Sequence, residues 1–293
     1  MTARFGRVIT AMVTPFTEAG TLNVDEAQRL ARHLVDHGSE GLVVAGSTGE
    51  GATLTDDEKR TLFRAIKDAV GGDASVIAGT GTYSTEHSVE MTREAEKAGV
   101  DAALVVTPYY NRPPQDALLE HFRTVADASN LPILLYDIPI RTALKIEVDT
   151  ILRAAEHPRI VGIKDACNDM SASTLLAARK PDDFEIYSGN DDQTIGYQAI
   201  GGVGVISVVS HVMGEQLLEQ FVTFEAGNVE RAREIQLLER RVHAALTTAN
   251  PVSIKAAVRL LGFDVGAPRA PLRAANADEE TNVREALKEL AAL

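Results

Sequence analysis

A lysine, Lys164, follows directly on the apolar run Ile160-Val161-Gly162-Ile163, a pattern that reads as a parallel strand buried on both faces. An ammonium carried into such a place must shed its charge or find a partner. When it is partly removed from water the free amine becomes accessible, and a free amine adds to a ketone to form a Schiff base. The competing reading is a lysine that leaves the strand and pairs with Asp165. Other reactive residues follow apolar runs in the same way. Tyr136 closes Pro132–Tyr136 and leads into Asp137-Ile138-Pro139-Ile140-Arg141, Thr107-Pro108-Tyr109-Tyr110 follows Ala102–Val106, and Gly46-Ser47-Thr48-Gly49-Glu50 follows Gly41–Ala45. A phenol beside an amine can shuttle protons while a carbinolamine forms and loses water, and Ser47 and a tyrosine hydroxyl suit the rest of such a relay. The guanidinium of Arg141 suits bidentate recognition of a carboxylate. The glycines at 46 and 49 allow a tight turn whose amides can face an anion.

Residues so far apart in sequence can cooperate only if the fold gathers the ends of their strands. Eight apolar, β-branched runs recur: Val8–Val13, Gly41–Ala45, Ser75–Ala78, Ala102–Val106, Pro132–Tyr136, Ile160–Ile163, Phe184–Tyr187 and Val203–Val208. Amphipathic stretches lie between them, among them Asp25–Asp36, Thr55–Val70, Ser84–Ala98, Gln115–Ala128 and Ser173–Arg179. Thr55-Asp56-Asp57-Glu58 has the spacing of a capping box. Alternating strands and helices in this number predict a closed (β/α)8, or TIM, barrel, in which reactive groups collect at the C-terminal ends of the strands. Gly46-Ser-Thr-Gly49-Glu-Gly51 and Gly79-Thr-Gly81 do not spell a dinucleotide fingerprint, and no phosphate loop occurs. Past the eighth run the chain is helical, over Gln216–Glu225, Val229–Thr248, Val252–Leu261 and Glu279–Ala291. The division expected is a barrel over 1–227 and a C-terminal helical subdomain over 228–293, with Asn250-Pro251 breaking a helix, Pro251 in the first turn of the next, and Gly266–Asn276 as a linker.

Composition narrows the function. With 45% hydrophobic residues, 5% aromatic and no Trp, the core is aliphatic, as in helix-covered parallel sheets. A net charge of −13 opposes nucleic-acid binding, which needs cations to displace counterions. One cysteine, Cys167, suits a reducing compartment and reads as a small buried residue. Neither a signal peptide nor a run long enough to span a bilayer is present, so a cytoplasmic protein without membrane association is expected. No metal is expected either: the i,i+4 pair His33 and His37 lacks H-E-x-x-H and a third ligand and reads as surface.

Gly46-Ser-Thr-Gly-Glu, Thr107-Pro-Tyr-Tyr-Asn, Tyr136-Asp-Ile-Pro-Ile-Arg-Thr and Gly162-Ile-Lys164-Asp resemble the motifs of the dihydrodipicolinate synthase and N-acetylneuraminate lyase superfamily, from about Thr10 through Asn250-Pro-Val. The resemblance implies a class I, Schiff-base, pyruvate-handling lyase on a (β/α)8 barrel with a C-terminal helical region, in a homotetramer built as a dimer of dimers. It makes Lys164 the Schiff-base lysine and Tyr136 the relaying phenol, with Ser47 next to it and Tyr110 supplied by a neighbouring subunit. Thr48 corresponds to the residue that holds the pyruvate carboxylate and Arg141 to the one that receives the carboxylate of a second substrate, while Gly189 and Ile206 correspond to backbone positions lining the pocket. Arg141 favours the branch that condenses pyruvate with aspartate semialdehyde to 4-hydroxy-tetrahydrodipicolinate for lysine and diaminopimelate synthesis. Ser47, where that branch usually has threonine, is the spelling of sialic-acid lyases and leaves a sugar-acid aldolase or dehydratase, or N-acetylneuraminate lyase, as the alternative. No cofactor is expected, because the lysine amine is itself the electron sink. Outside enzyme chemistry, the remaining reading is a barrel that binds an oxo-acid without turning it over. Asp137 and Ala143 stand where Asn and Gly are common and bear on loop geometry. Tyr83 and His87 stand where lysine-inhibited members carry Asn and Glu, so lysine feedback is expected to be weak or absent.

Overall fold

The computed structural model describes residues 3–291. Its eight strands, β1 (Val8–Ala11), β2 (Gly41–Val44), β3 (Ser75–Gly79), β4 (Ala102–Val106), β5 (Ile133–Asp137), β6 (Ile160–Asp165), β7 (Glu185–Ser188) and β8 (Gly204–Ser207), differ from the expected runs by at most two residues at any end. All pair in parallel with their sequence neighbours, and β1 pairs with β8 to close the barrel. The fold is a TIM barrel followed by C-terminal helices.

Alternation along each strand splits the core in two. One set, including Ile9, Val43, Ile77, Leu104, Leu134, Tyr136, Tyr187 and Ile206, fills the barrel, and a larger aliphatic set lies between strands and helices. Gly162 is required by this packing, because a Cβ there would lie 2.5 Å from the Glu185 carbonyl oxygen and 2.9 Å from Leu134 Cδ2. The capping box forms as read: Thr55 caps the helix Asp56–Val70 by accepting from Glu58 N–H while the Glu58 carboxylate accepts from Thr55 N–H, a device that contributes about 1 kcal/mol.

Four expectations need correction. The helix after β8 begins at Ser210, well before Gln216, and bends at Met213, whose φ/ψ of −134°/22° leaves the helical region. Pro251 is the cap before the helix Val252–Leu260, one position short of its first turn, and the Asn250-Pro251 peptide is cis. The Gly266–Asn276 stretch is irregular but not a free linker. The Arg269 guanidinium donates to the carbonyls of Gly20 (2.8 Å) and Thr53 (3.0 Å) and to Glu58 (2.8 Å), which ties the stretch across the mouth of the barrel. His33 is half-buried against Phe263, 4.8 Å between ring centroids, rather than on the surface, and burial pulls its pKa down; His37 beside it is exposed.

Candidate active site

Lys164 lies inside β6, level with Tyr136 on β5 and Tyr187 on β7. Its alternation with Asp165 sends the two side chains to opposite faces of the sheet. Asp165 accepts from Cys167 N–H (3.0 Å) and from the Ser173 hydroxyl (2.6 Å) on the helix side. The pairing of Lys164 with Asp165 therefore does not form. Lys164 is 5% exposed, has no carboxylate within 4.0 Å among the described residues, and holds Nζ 4.5 Å from the centroid of the Tyr136 ring. The only favourable partner shown is the face of an aromatic ring, which stabilises an ammonium far less than a carboxylate does.

The two tyrosines flanking this amine differ in their surroundings. Tyr187 is wholly buried, its hydroxyl donating to Glu185 (3.0 Å) and accepting from Phe5 N–H (3.3 Å), and burial next to Glu185 pushes its pKa up. It is the core phenol with a satisfied hydroxyl. The Tyr136 hydroxyl has no hydrogen-bond partner among the described residues, and Tyr136 lines a cleft of about 480 Å³ at the C-terminal end of the barrel. Thr107 fixes the backbone behind it: its amide and hydroxyl donate to the Tyr136 carbonyl at 3.0 and 3.1 Å.

Ser47 and Arg141 line the same cleft. The turn after β2 is held tightly: a Cβ on Gly51 would fall 2.1 Å from the Ala45 carbonyl oxygen, and Ala45 and Glu50 both adopt φ of +56°. Among the described residues the amides of Ser47, Thr48 and Gly49 donate to no protein group, so successive N–H groups remain free for an anion. Thr48 is buried, and its hydroxyl accepts from Asn250 Nδ2 at 3.0 Å. Arg141 is carried by a single helical turn, Pro139–Thr142, with proline first and Ala143 closing it at φ +57°. That conformation favours glycine and costs alanine about 1 kcal/mol.

The remaining predicted residues are placed less directly. Gly189 follows β7, its N–H donating to the Asp165 carbonyl at 2.7 Å, and Ile206 is buried inside the barrel opposite Ile9; neither these two nor Lys164 and Thr48 form part of the cleft wall. Tyr110 is not brought to the site of its own chain. It is 95% exposed and held at φ +74°, while its neighbour Tyr109 lines the cleft. Asp137 is buried behind β5, where it accepts from Ile146 N–H (3.3 Å), and burial raises its pKa to about 7. Cys167, half-buried rather than buried, has its thiol pushed up to about 12, first by burial and then by Asp165. Donor atoms of Asp137, Asp165 and Cys167 lie within 4.8 Å of one another. With a thiol that holds its proton and with Asp165 already accepting two hydrogen bonds, they are poor cation ligands.

Residues to which the sequence reading gives no part in the site complete the wall: Asn250, Pro251, Arg269, Pro271 and Leu272 from the C-terminal segment, and Asp56 and Lys59 beside Tyr83 and His87. The signal was present for one buried partner of this wall, Lys255, which sits in the apolar stretch Val252-Ser-Ile-Lys-Ala-Ala-Val and is subject to the argument applied to Lys164.

Known proteins match the chain over almost its whole length. The model of the dihydrodipicolinate synthetase family matches residues 4–290. The 4-hydroxy-tetrahydrodipicolinate synthase of Moorella thermoacetica is 49% identical over 287 residues, covering 98% of both chains, and that of Acidothermus cellulolyticus is 50% identical over 97% of this chain and 92% of its own. The solved dihydrodipicolinate synthase of Cyanidioschyzon merolae, with lysine bound, superposes with a TM-score of 0.96 at 42% identity and 99% coverage of each chain. Sharing both its barrel and its full length with these proteins, the chain belongs to the dihydrodipicolinate synthetase family.

Proposed function

We propose that this protein condenses pyruvate with L-aspartate semialdehyde to 4-hydroxy-tetrahydrodipicolinate, the activity for which its relatives are named, in lysine and diaminopimelate synthesis. The observation that carries the reading is a lysine inside the barrel beside a phenol, the amine without a carboxylate partner and the hydroxyl without a hydrogen-bond partner among the described residues. Lys164 Nζ attacks the pyruvate ketone carbon; the carbinolamine loses water as Tyr136 returns a proton, leaving an iminium. The Tyr136 phenolate takes a methyl proton to give the enamine, whose carbon attacks the aldehyde as the aldehyde oxygen takes up that proton to become the hydroxyl. The amine of the semialdehyde then displaces Lys164 and closes the ring. The free amides at 47–49 and the Thr48 hydroxyl are suited to the pyruvate carboxylate, and Arg141 to that of the second substrate.

The test is intact mass after borohydride reduction with pyruvate, followed by a coupled assay with aspartate semialdehyde. An adduct with ring product supports the reading. An adduct without product redirects it to sugar-acid aldehydes, for which Ser47 speaks, and no adduct overturns the Schiff-base chemistry. Arg141 provides a sharper check on the substrate. Arg141→Ala removes a charge-assisted contact of about 1.5–3 kcal/mol, so KM for aspartate semialdehyde should rise roughly tenfold to a hundredfold while pyruvate trapping is unchanged. An equal rise in both KM values would take Arg141 away from the second substrate.

We read residues 1–227 as the catalytic barrel and 228–293 as a helical subdomain that completes its mouth, in a cytoplasmic enzyme. None of the helices in the described residues is long and apolar enough to cross a membrane. Tyr110, together with Tyr83 and Ile140, leaves exposed apolar surface on the loops after β3, β4 and β5. This supports a Tyr110 supplied between subunits, hence at least a dimer and, by the resemblance, a tetramer. Lysine feedback should be weak. His87 Nε2 lies 3.0 Å from both oxygens of Asp56, and Lys59 Nζ lies 3.8 Å from one of them, so the carboxylate that lines the cleft with Tyr83 and His87 is already matched and ill placed to take an incoming ammonium. Half-inhibition by sub-millimolar lysine in the coupled assay would contradict this.

A further inference from the structure

Glu50 and Lys255 form an ion pair in which both side chains are almost wholly out of water, 2% and 1% exposed, with Nζ 2.7 Å from Oε1. Glu50 ends the turn that carries Ser47 and Thr48; Lys255 lies in the helix Val252–Leu260. The other Glu50 oxygen accepts from Arg269 N–H at 2.8 Å. Lys255 Nζ also lies 4.3 Å from the centroid of the Phe16 ring, and the Arg269 guanidinium lies 4.2 Å from the same centroid. Burial pulls the Lys255 pKa down and Glu50 opposes that pull.

Such a pair is costly to bury and is weak evidence of a stabilising role, because an apolar pair of similar shape usually does as well. Its position suggests another use. Three consecutive residues of the turn are each held from elsewhere in the chain: Thr48 by Asn250 Nδ2 (3.0 Å), Gly49 through its carbonyl by the Thr14 hydroxyl (2.6 Å), and Glu50 by Lys255 and Arg269. The amides that remain unpaired, those of Ser47, Thr48 and Gly49, lie directly before the anchored carboxylate, and the Glu50 backbone itself is held at φ +56°. A buried ion pair at Glu50 is the charged anchor among the contacts that hold a turn of that conformation.

We propose that Glu50 and Lys255 are positioning residues for the keto-acid carboxylate. The ion pair sets the direction of the free amides of the 47–49 turn, so that pyruvate is held with its ketone presented to Lys164. This deepens the reading given above and rests on it. Neither residue touches substrate; each acts through the turn.

The test separates geometry from mere stability. E50D keeps the charge and shortens the side chain by one methylene, drawing the turn towards Lys255. E50Q/K255M removes both charges and keeps approximate shape. For each variant that melts within a few degrees of wild type, KM for pyruvate should rise roughly tenfold to a hundredfold, the loss that follows from misplacing a binding group by about 1 Å. KM for aspartate semialdehyde and kcat at saturating pyruvate should stay within about twofold. K255R, which keeps the cation, should lie between wild type and E50D. If the folded variants keep wild-type KM for pyruvate, or if both KM values and kcat move together with the melting temperature, the pair is structural only and the proposal fails. Failure of the wild-type protein to form a borohydride-stable pyruvate adduct would instead overturn the underlying reading, and the positioning role with it.

Discussion

Lys164→Ala is expected to eliminate the borohydride-stable pyruvate adduct and to lower turnover by at least a thousandfold, roughly the scale on which enzymes lose activity when their nucleophile is deleted. The structure adds a second, less usual expectation. Lys164 is a buried amine with no carboxylate within 4.0 Å among the described residues, and a polar group kept in that condition is paid for by the rest of the fold. Lys164→Met, which keeps the length of the side chain, should therefore melt no lower than wild type and by preference higher, while remaining inactive. Lys255 is the internal control. It is as deeply buried but is paired with Glu50, so Lys255→Met strands a carboxylate and should lower the melting temperature sharply. Thermal melts of the two methionine variants, side by side with mass spectra after reduction, decide the matter. Equal destabilisation by both would mean that Lys164 is also held by its surroundings, and a persistent adduct in Lys164→Ala would place the nucleophile elsewhere.

Tyr136→Phe should reduce kcat by roughly 10²–10⁴, the range lost with a general acid–base group, at almost no cost in stability. The hydroxyl donates to no protein group and accepts from none among the described residues, so its removal leaves no orphaned partner. Tyr187→Phe is the matched comparison: it leaves the Glu185 carboxylate and the Phe5 amide without their phenol, and should cost about 1–3 kcal/mol while sparing the chemistry. The two tyrosines flank the same lysine in register, so opposite outcomes from two removals of one oxygen atom would separate proton transfer from packing. If Tyr136→Phe retained wild-type kcat, the relay would have to be assigned to another hydroxyl on the cleft wall, with Ser47 the first to examine.

The difference between what sequence discloses and what it conceals is visible in these same residues. The strands could be read because a strand buried on both faces is an unbroken apolar run, and Lys164 and Tyr136 could be read because each interrupts such a run at the end where a barrel collects its chemistry. Ser47 and Arg141 were placed in the cleft for the same reason. The turn Pro139–Thr142 that carries Arg141 is too short to show a helical period. Arg269 and Asn250 were passed over because their segments have loop composition, and composition is silent about what a loop packs against. Thr48 and Asn250 stand 202 residues apart, and no local pattern in either segment announces the other. Tyr110 was legible as a residue but not as a contact: its own chain leaves it in solvent.

The tie between Arg269 and the segments at Gly20, Thr53 and Glu58 also has a bearing on the order in which the mouth of the barrel is assembled. A chain emerging from the ribosome exposes β1 to β8 before residues 250–272, and domains fold as their residues become available. Until that segment arrives, the turn after β2 has neither Lys255 nor Asn250 to hold it, although the strands that carry Lys164 and Tyr136 are already made. The order of the turn after β2 therefore depends on contacts made across about 200 residues of chain, and the eight strands alone do not supply them.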